Sequence, residues 1–216
     1  SNLLVSYLNQ NFKIHCESEV LGRSRGLNKV DILSKLNFMN SVPFYVKGVG
    51  FKHFYQYPVD YELADKQVLL ERLCEIHDKF IFINRANLLD KFISLVRARE
   101  TKVYSVNQFK KKGPAPFKPI TINIDEFNNY IRDNINFRDK VRSIEKNGNF
   151  LEITYNDLVE NTQNTMYQVY NFLRVPPIEV QTYLQKQNTH SQEESITNYA
   201  EVKEYLERMG YETFLK

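Results

Sequence analysis

Lys79-Phe80-Ile81-Phe82-Ile83-Asn84 is the stretch whose reading decides the fold. Its apolar run is too short for a buried helix and apolar on both faces, which is the pattern of a strand buried in a parallel sheet. Arg85-Ala86-Asn87 follows at once, and Leu88, Leu89, Phe92, Ile93 and Val96 then fall at helical spacing. Asn87 is placed to cap that helix. Asp90 falls at its third position, where a carboxylate meets the positive end of the helix dipole. A buried strand feeding directly into a capped amphipathic helix is the unit from which α/β sheets are built.

Working outward, Phe12–Cys16 alternates apolar and polar residues, and Val46–Tyr55 is rich in β-branched and aromatic side chains, so both read as strands. Phe150–Thr154 reads as another strand and Ile120–Ile124 as a short extended piece. Helical spacing appears at Leu3, Leu4, Tyr7 and Leu8, from about Lys29 to Phe38, and over Glu62–His77. Asp125 is read as the cap of a long helix to about Glu145. A further helix is expected from Asn156 or Asp157 through Leu173, stopped by Pro176-Pro177, and a last one near Val202–Met209. Lys102–Pro119, with its Lys110–Lys112 run, reads as a loop. Strands and helices alternate with few hairpin signals. The expectation is one α/β domain over 1–216, a mostly parallel sheet flanked by helices, with a helical C-terminal part.

The 216 residues carry 42% hydrophobic and 25% charged side chains, a globular balance rather than a disordered one. A formal net charge of +3 is too small to argue nucleic-acid binding, but it suits a pocket for a polyanionic small molecule if the cations converge. Cys16 and Cys74 have no metal spacing and form no disulfide framework; they read as buried thiols in a reducing compartment. No segment approaches the ~20 apolar residues of a membrane span. No cluster of His and carboxylates has metal-ligand spacing, so no metal is expected. The abundance of Asn, Lys, Ile, Tyr and Phe, with no Trp, points to an A/T-rich bacterial or phage source and a cytoplasmic location.

Ligands of open α/β sheets bind at the carboxyl ends of the strands. Arg85 leaves such an end, and Ser94 lies two turns inside the following helix. A guanidinium offers a fixed fork of donors to a phosphate, and a hydroxyl adds one more.

The segment Arg85–Ser94 resembles the 3′-phosphate-binding segment of the sulfotransferases that use 3′-phosphoadenosine-5′-phosphosulfate (PAPS). Other stretches resemble the same family in the same order: Gly50–Tyr55 its central strand, Ile153–Leu158 its YEDL turn, Phe172–Val175 its FLGV helix end, and Lys186–Thr189 with Ile196–Tyr199 its C-terminal segment. The resemblance implies a P-loop-type fold and in-line transfer of a sulfuryl group from PAPS to a hydroxyl or amine acceptor. It implies that Ser1 and Asn2 end the phosphosulfate loop, whose first half and preceding strand are then missing from the chain. It implies a donor site of Ser1, Asn2, Arg85, Ser94, Tyr155, Lys186, Gln187 and Asn188. Sulfuryl transfer to a hydroxyl needs a base, and the family's placement of a Glu just after the second strand falls on Glu19, with Glu17 and His15 as the other candidates. Arg23 and Arg25 would meet an anionic, small-molecule or carbohydrate acceptor. Three departures mark a divergent member: Arg174 replaces the FLGV glycine, Asn156 the YEDL glutamate, and Tyr104 a tryptophan. A nucleotide kinase on the same scaffold, or a P-loop module that has lost donor binding, are the alternative readings. The kinase would need a Mg²⁺-holding carboxylate at a strand end, where this chain has Asn84-Arg85.

Overall fold

The computed structural model describes residues 2–19, 42–52, 73, 77–103, 106–107, 117–143, 148–185 and 190–216. The expected helices over 29–38 and most of 62–77, and the Lys110–Lys112 run, lie outside the described residues. In chain order the elements are α1 (Asn2–Leu8), β1 (Ile14–Glu19), β2 (Gly48–Lys52), β3 (Phe80–Asn84), α2 (Leu88–Thr101), β4 (Val106–Asn107) and α3 (Ile124–Ser143). They continue with β5 (Phe150–Thr154), α4 (Tyr155–Glu160), α5 (Thr162–Leu173), β6 (Leu184–Gln185), α6 (Gln192–Ser195), α7 (Tyr199–Arg208) and a 3₁₀ turn at Glu212–Phe214.

The chain is thus mixed α and β. Among the described residues its strands form three two-stranded sheets, β1 with β2, β3 with β5, and β4 with β6, rather than one continuous sheet. The chain divides into two compact units, Ser1–Ile83 with Val141–Thr182, and Asn84–Lys140 with Tyr183–Lys216.

In the first unit β1 and β2 are parallel, with Ile14 opposite Gly48 and Glu17 opposite Phe51. The register then slips at Ser18, so that Glu19 stands opposite Lys52. Side-chain amides seal backbone that no strand among the described residues covers. Asn9 both donates to the Cys16 carbonyl and accepts from the Cys16 N–H, each at 2.7 Å. Gln10 does the same at Gln181 and Gln163 at Val180. The helix expected from Asn156 to Leu173 is two helices. Thr154, not Asn156 or Asp157, caps the first by accepting from the Asp157 N–H. Asn161, at φ −120°, breaks it from the second. The apolar face of Leu158, Met166 and Val169 runs on in phase across the break, which is why spacing alone reads a single helix.

The second unit is built on one core of Leu88, Leu89, Phe92, Ile93, Ile120, Ile122, Phe127, Ile131, Ile196, Val202, Tyr205 and Leu206. Asn87 caps α2 as expected, accepting from the Asp90 N–H at 2.9 Å. Asn123 rather than Asp125 caps α3, accepting from the Glu126 N–H. Ile120 and Ile196 form a parallel bridge, and Asn198 clamps both backbone groups of Ile122 at 2.9 Å. Gln192, 5% exposed, donates to Asp90 and to the Phe214 carbonyl and accepts from the Lys216 N–H. That single amide ties the last residues of the chain to the first turn of α2.

Candidate functional site

Each candidate side chain is fixed by its own element. In the second unit Arg85 follows β3, and its Nη1 lies 3.5 Å from Ser94 Oγ, the outer limit of a hydrogen bond. Ser94 donates to the Asp90 carbonyl one turn back at 2.9 Å, leaving its lone pairs toward Arg85. The sequence separation of nine residues therefore becomes a spatial pair.

A residue the sequence reading did not name joins this pair. Lys91 sits on α2 and donates to Asn134 Oδ1 of α3 at 2.5 Å, with its ammonium 5.9 Å from the Tyr130 ring centre. Burial, reinforced by the Arg85 guanidinium, pulls Lys91 down to about 8. Its sequence signal was faint: one lysine on a helix that carries several other charged residues.

In the first unit Asn2 begins α1, and its side-chain carbonyl accepts from the Lys52 ammonium. Lys52 is 8% exposed at the carboxyl end of β2. It too went unremarked in the sequence, where only a cation inside an apolar strand could have drawn attention to it. The β1 register sets Glu19 opposite it. His15 and Glu17 share a face of β1 and meet at 3.1 Å, each with 43% of its side chain exposed. That contact is the geometry of an imidazole oriented by a carboxylate. Cys16, between them in sequence, points inward. Burial pushes its thiol up to about 11, so the group is inert as a nucleophile at neutral pH.

Tyr155 is half-buried at the first position of α4. An open cleft of about 350 Å³ lined by Glu152, Ile153, Thr154, Asp157, Asn161, Asn164, Thr165 and Gln168 takes in part of the Ile153–Leu158 stretch but none of the candidate site residues. Ser1, Arg23, Arg25, Lys186, Gln187 and Asn188 lie outside the described residues. No group of three or more His, Cys, Asp or Glu side chains among the described residues is arranged to hold a metal. No helix among them is long and apolar enough to cross a membrane.

No protein-family model, no curated protein and no solved structure matches this chain. What the described residues show is a mixed α/β chain in which Arg85 approaches Ser94 in one unit and Lys52 is held by Asn2 in the other.

Proposed function

We propose that the chain is a PAPS-dependent sulfotransferase domain of the P-loop type, transferring the sulfuryl group to a hydroxyl or amine of a small-molecule or carbohydrate acceptor. The observation that carries this reading is the approach of Arg85 to Ser94, a guanidinium at a strand end meeting a hydroxyl two turns into the next helix. In this reading Arg85 and Ser94 hold the 3′-phosphate, and Tyr155, Lys186, Gln187 and Asn188 are the further candidates for the donor. Ser1 and Asn2 are the candidates for the phosphosulfate end of the donor. The acceptor oxygen attacks sulfur, the bond from sulfur to the bridging phosphate oxygen breaks, and its electron pair leaves with adenosine 3′,5′-bisphosphate. Glu19 takes the acceptor's proton. Lys52 supplies positive charge for the oxygen on which charge develops. What supports this division of labour is the backbone register, in which Glu19 and Lys52 are partners at the last positions of β1 and β2. His15 with Glu17 is the competing base, and Arg23 and Arg25 serve an anionic acceptor.

Calorimetric titration with adenosine 3′,5′-bisphosphate tests the reading. The expected result is binding in the micromolar range, weakened about 50-fold or more by Arg85→Ala, the loss expected when a charge-assisted bidentate contact is removed. Absence of binding would replace the enzyme with the P-loop module that has lost its donor.

A further inference from the structure

We propose that the cleft walled by the end of β5, α4 and α5 is a binding site for a neutral, polyhydroxylated ligand of the sugar class. The cleft lies wholly within the first unit and takes in none of the donor or base residues named above, so it stands independently of the sulfotransferase reading. Its volume of about 350 Å³ is at the small end of ligand pockets, which run from roughly 300 to 1,000 Å³. Asn161, Asn164 and Gln168 recur at helical spacing along α5, so their side chains emerge as one stripe, and all three line the cleft.

These amides differ from others in the same unit. Asn9 is committed to the Cys16 backbone and Gln10 to Gln181. Gln163, the neighbour of Asn164 on the same helix, is committed to Val180. Asn161 stands at the cap of α5, where an asparagine ordinarily accepts from the N–H of the second or third helical residue, here Gln163 or Asn164. It makes no such bond. Among the described residues the side chains of Asn161, Asn164 and Gln168 have no hydrogen-bond partner. The groups behind them are held firmly. Thr165, 3% exposed, donates to the carbonyls of Asp157 and Asn161 and locks the junction of the two helices. Thr154 caps α4 and donates to Asp157 Oδ2 at 2.7 Å. Arg142 donates to both oxygens of Glu152, at 2.9 and 3.0 Å, and so offsets that charge. The cleft is a braced wall bearing a row of uncommitted amides, which lowers the cost of ordering them around a ligand.

The donor and acceptor set selects the ligand. Each of these amides carries an NH₂ donor group and a carbonyl acceptor, and Asp157 adds the acceptor Oδ1. A hydroxyl both donates and accepts, so adjacent hydroxyls on one ring can satisfy adjacent amides on one stripe. No lysine, arginine or histidine lines the cleft, and Asp157 has no ion-pair partner among the described residues. A phosphate or sulfate ester would meet that carboxylate with no lining cation to offset it, so anionic ligands are disfavoured. Single nucleobases are recognised by stacking on an aromatic or guanidinium plane, and no lining residue supplies one. The same lack leaves a sugar held by hydrogen bonds exchanged against those of water. The expected affinity is therefore weak, with a Kd of about 1 mM.

The test is NMR titration of the isotope-labelled full chain with glucose, galactose, mannose and N-acetylglucosamine, each to about 20 mM, well past that Kd. The expected result is a saturable shift of the side-chain amide signals of Asn161, Asn164 and Gln168 by at least one of the four. Combining Asn164→Ala with Gln168→Ala is expected to weaken that binding by about fivefold or more, the worth of two hydrogen bonds. Both positions are exposed on α5, and alanine is the better helix former, so the double variant is expected to melt no lower than the parent. The 6-phosphate of the best-binding sugar is expected to bind more weakly than the sugar itself, and Asp157→Asn to narrow that gap, which a merely structural Asp157 would not do. No shift with any of the four sugars, shifts confined to other residues, equal affinity in the double variant, or tighter binding of the sugar phosphate by the parent chain would each overturn the assignment. The donor-binding reading is unaffected by any of these results, since adenosine 3′,5′-bisphosphate tests it separately.

Discussion

Lys52 in the first unit and Lys91 in the second are each drawn out of solvent and held by an asparagine side-chain oxygen, Asn2 for the one and Asn134 for the other. Their surroundings differ in sign. Lys52 ends β2 opposite Glu19, and the Cys16 thiol feels both Lys52 and the opposing charge of Glu17. Lys91 lies beside Arg85, and burial together with that guanidinium draws it down to about 8. Burial alone does not assign a lysine its work. The two lysines share the amide acceptor and differ in the charged group recorded next to each, Glu19 in register with the one and Arg85 acting on the other. The asparagines differ as well: Asn134 is buried between helices, while Asn2 is half-buried at a helix start that water can reach.

The largest effect expected from that contrast is on folding. Asn134→Leu leaves a largely buried ammonium without its acceptor and is expected to cost about 2–4 kcal/mol by urea denaturation at pH 7. Asn2→Leu removes the corresponding acceptor from Lys52, where water can substitute, and is expected to cost about 1 kcal/mol. Equal losses would break the comparison and make the two lysines variants of one structural device.

A smaller effect sharpens it through pH. The folded-state value for Lys91 lies below the ordinary lysine value of about 10.4, so folding disfavours its charged form. The penalty is fully present below about pH 8 and is lost as pH rises toward the unfolded value. Lys91→Met is therefore expected to be about 1 kcal/mol more stable than the parent at pH 7, after allowing for the hydrogen bond it gives up, with the advantage gone by about pH 10.5. Denaturation midpoints at pH 7, 9 and 10.5 measure it. A gain that stays constant with pH would show that packing, not charge, sets the Lys91 environment.

What the sequence made legible was local. The 79–84 run and the Asn87 cap depend on neighbours within a few residues, and β3, β5 and the cap fall where the pattern puts them. The Arg85–Ser94 pair was legible for the same reason, since one strand end and two helical turns fix its geometry. The amide clamps were not. Gln10 meets Gln181 across 171 positions and Asn198 meets Ile122 across 76, and an Asn-rich composition gives no hint of which amide serves which backbone. Lys91 was hidden likewise, because Asn134 lies 43 residues away on another helix. The sequence offers the residue type; only tertiary contact reveals whether its charge is balanced.

The smallest effect concerns a motif that both units use. The last turn of α7 closes with Gly210 at φ 72°, its N–H on the Glu207 carbonyl and the Tyr211 N–H reaching back to Leu206. The last turn of α5 closes the same way. The Arg174 N–H bonds Asn171 and the Val175 N–H reaches back to Tyr170, but the left-handed position at φ 57° is occupied by an arginine. The bonds to Tyr170 and Asn171 hold this left-handed position against the preference of a side chain. Arg174→Gly relieves about 1 kcal/mol of strain and gives back part of it to the freer unfolded chain. The expected net gain is about 0.5 kcal/mol, seen as a small rise in Tm, whereas Arg174→Ala keeps the strained Cβ and gains nothing. If alanine stabilises as much as glycine, the arginine's charge rather than its backbone is what α5 tolerates. The two helix ends would then be alike in hydrogen bonding only.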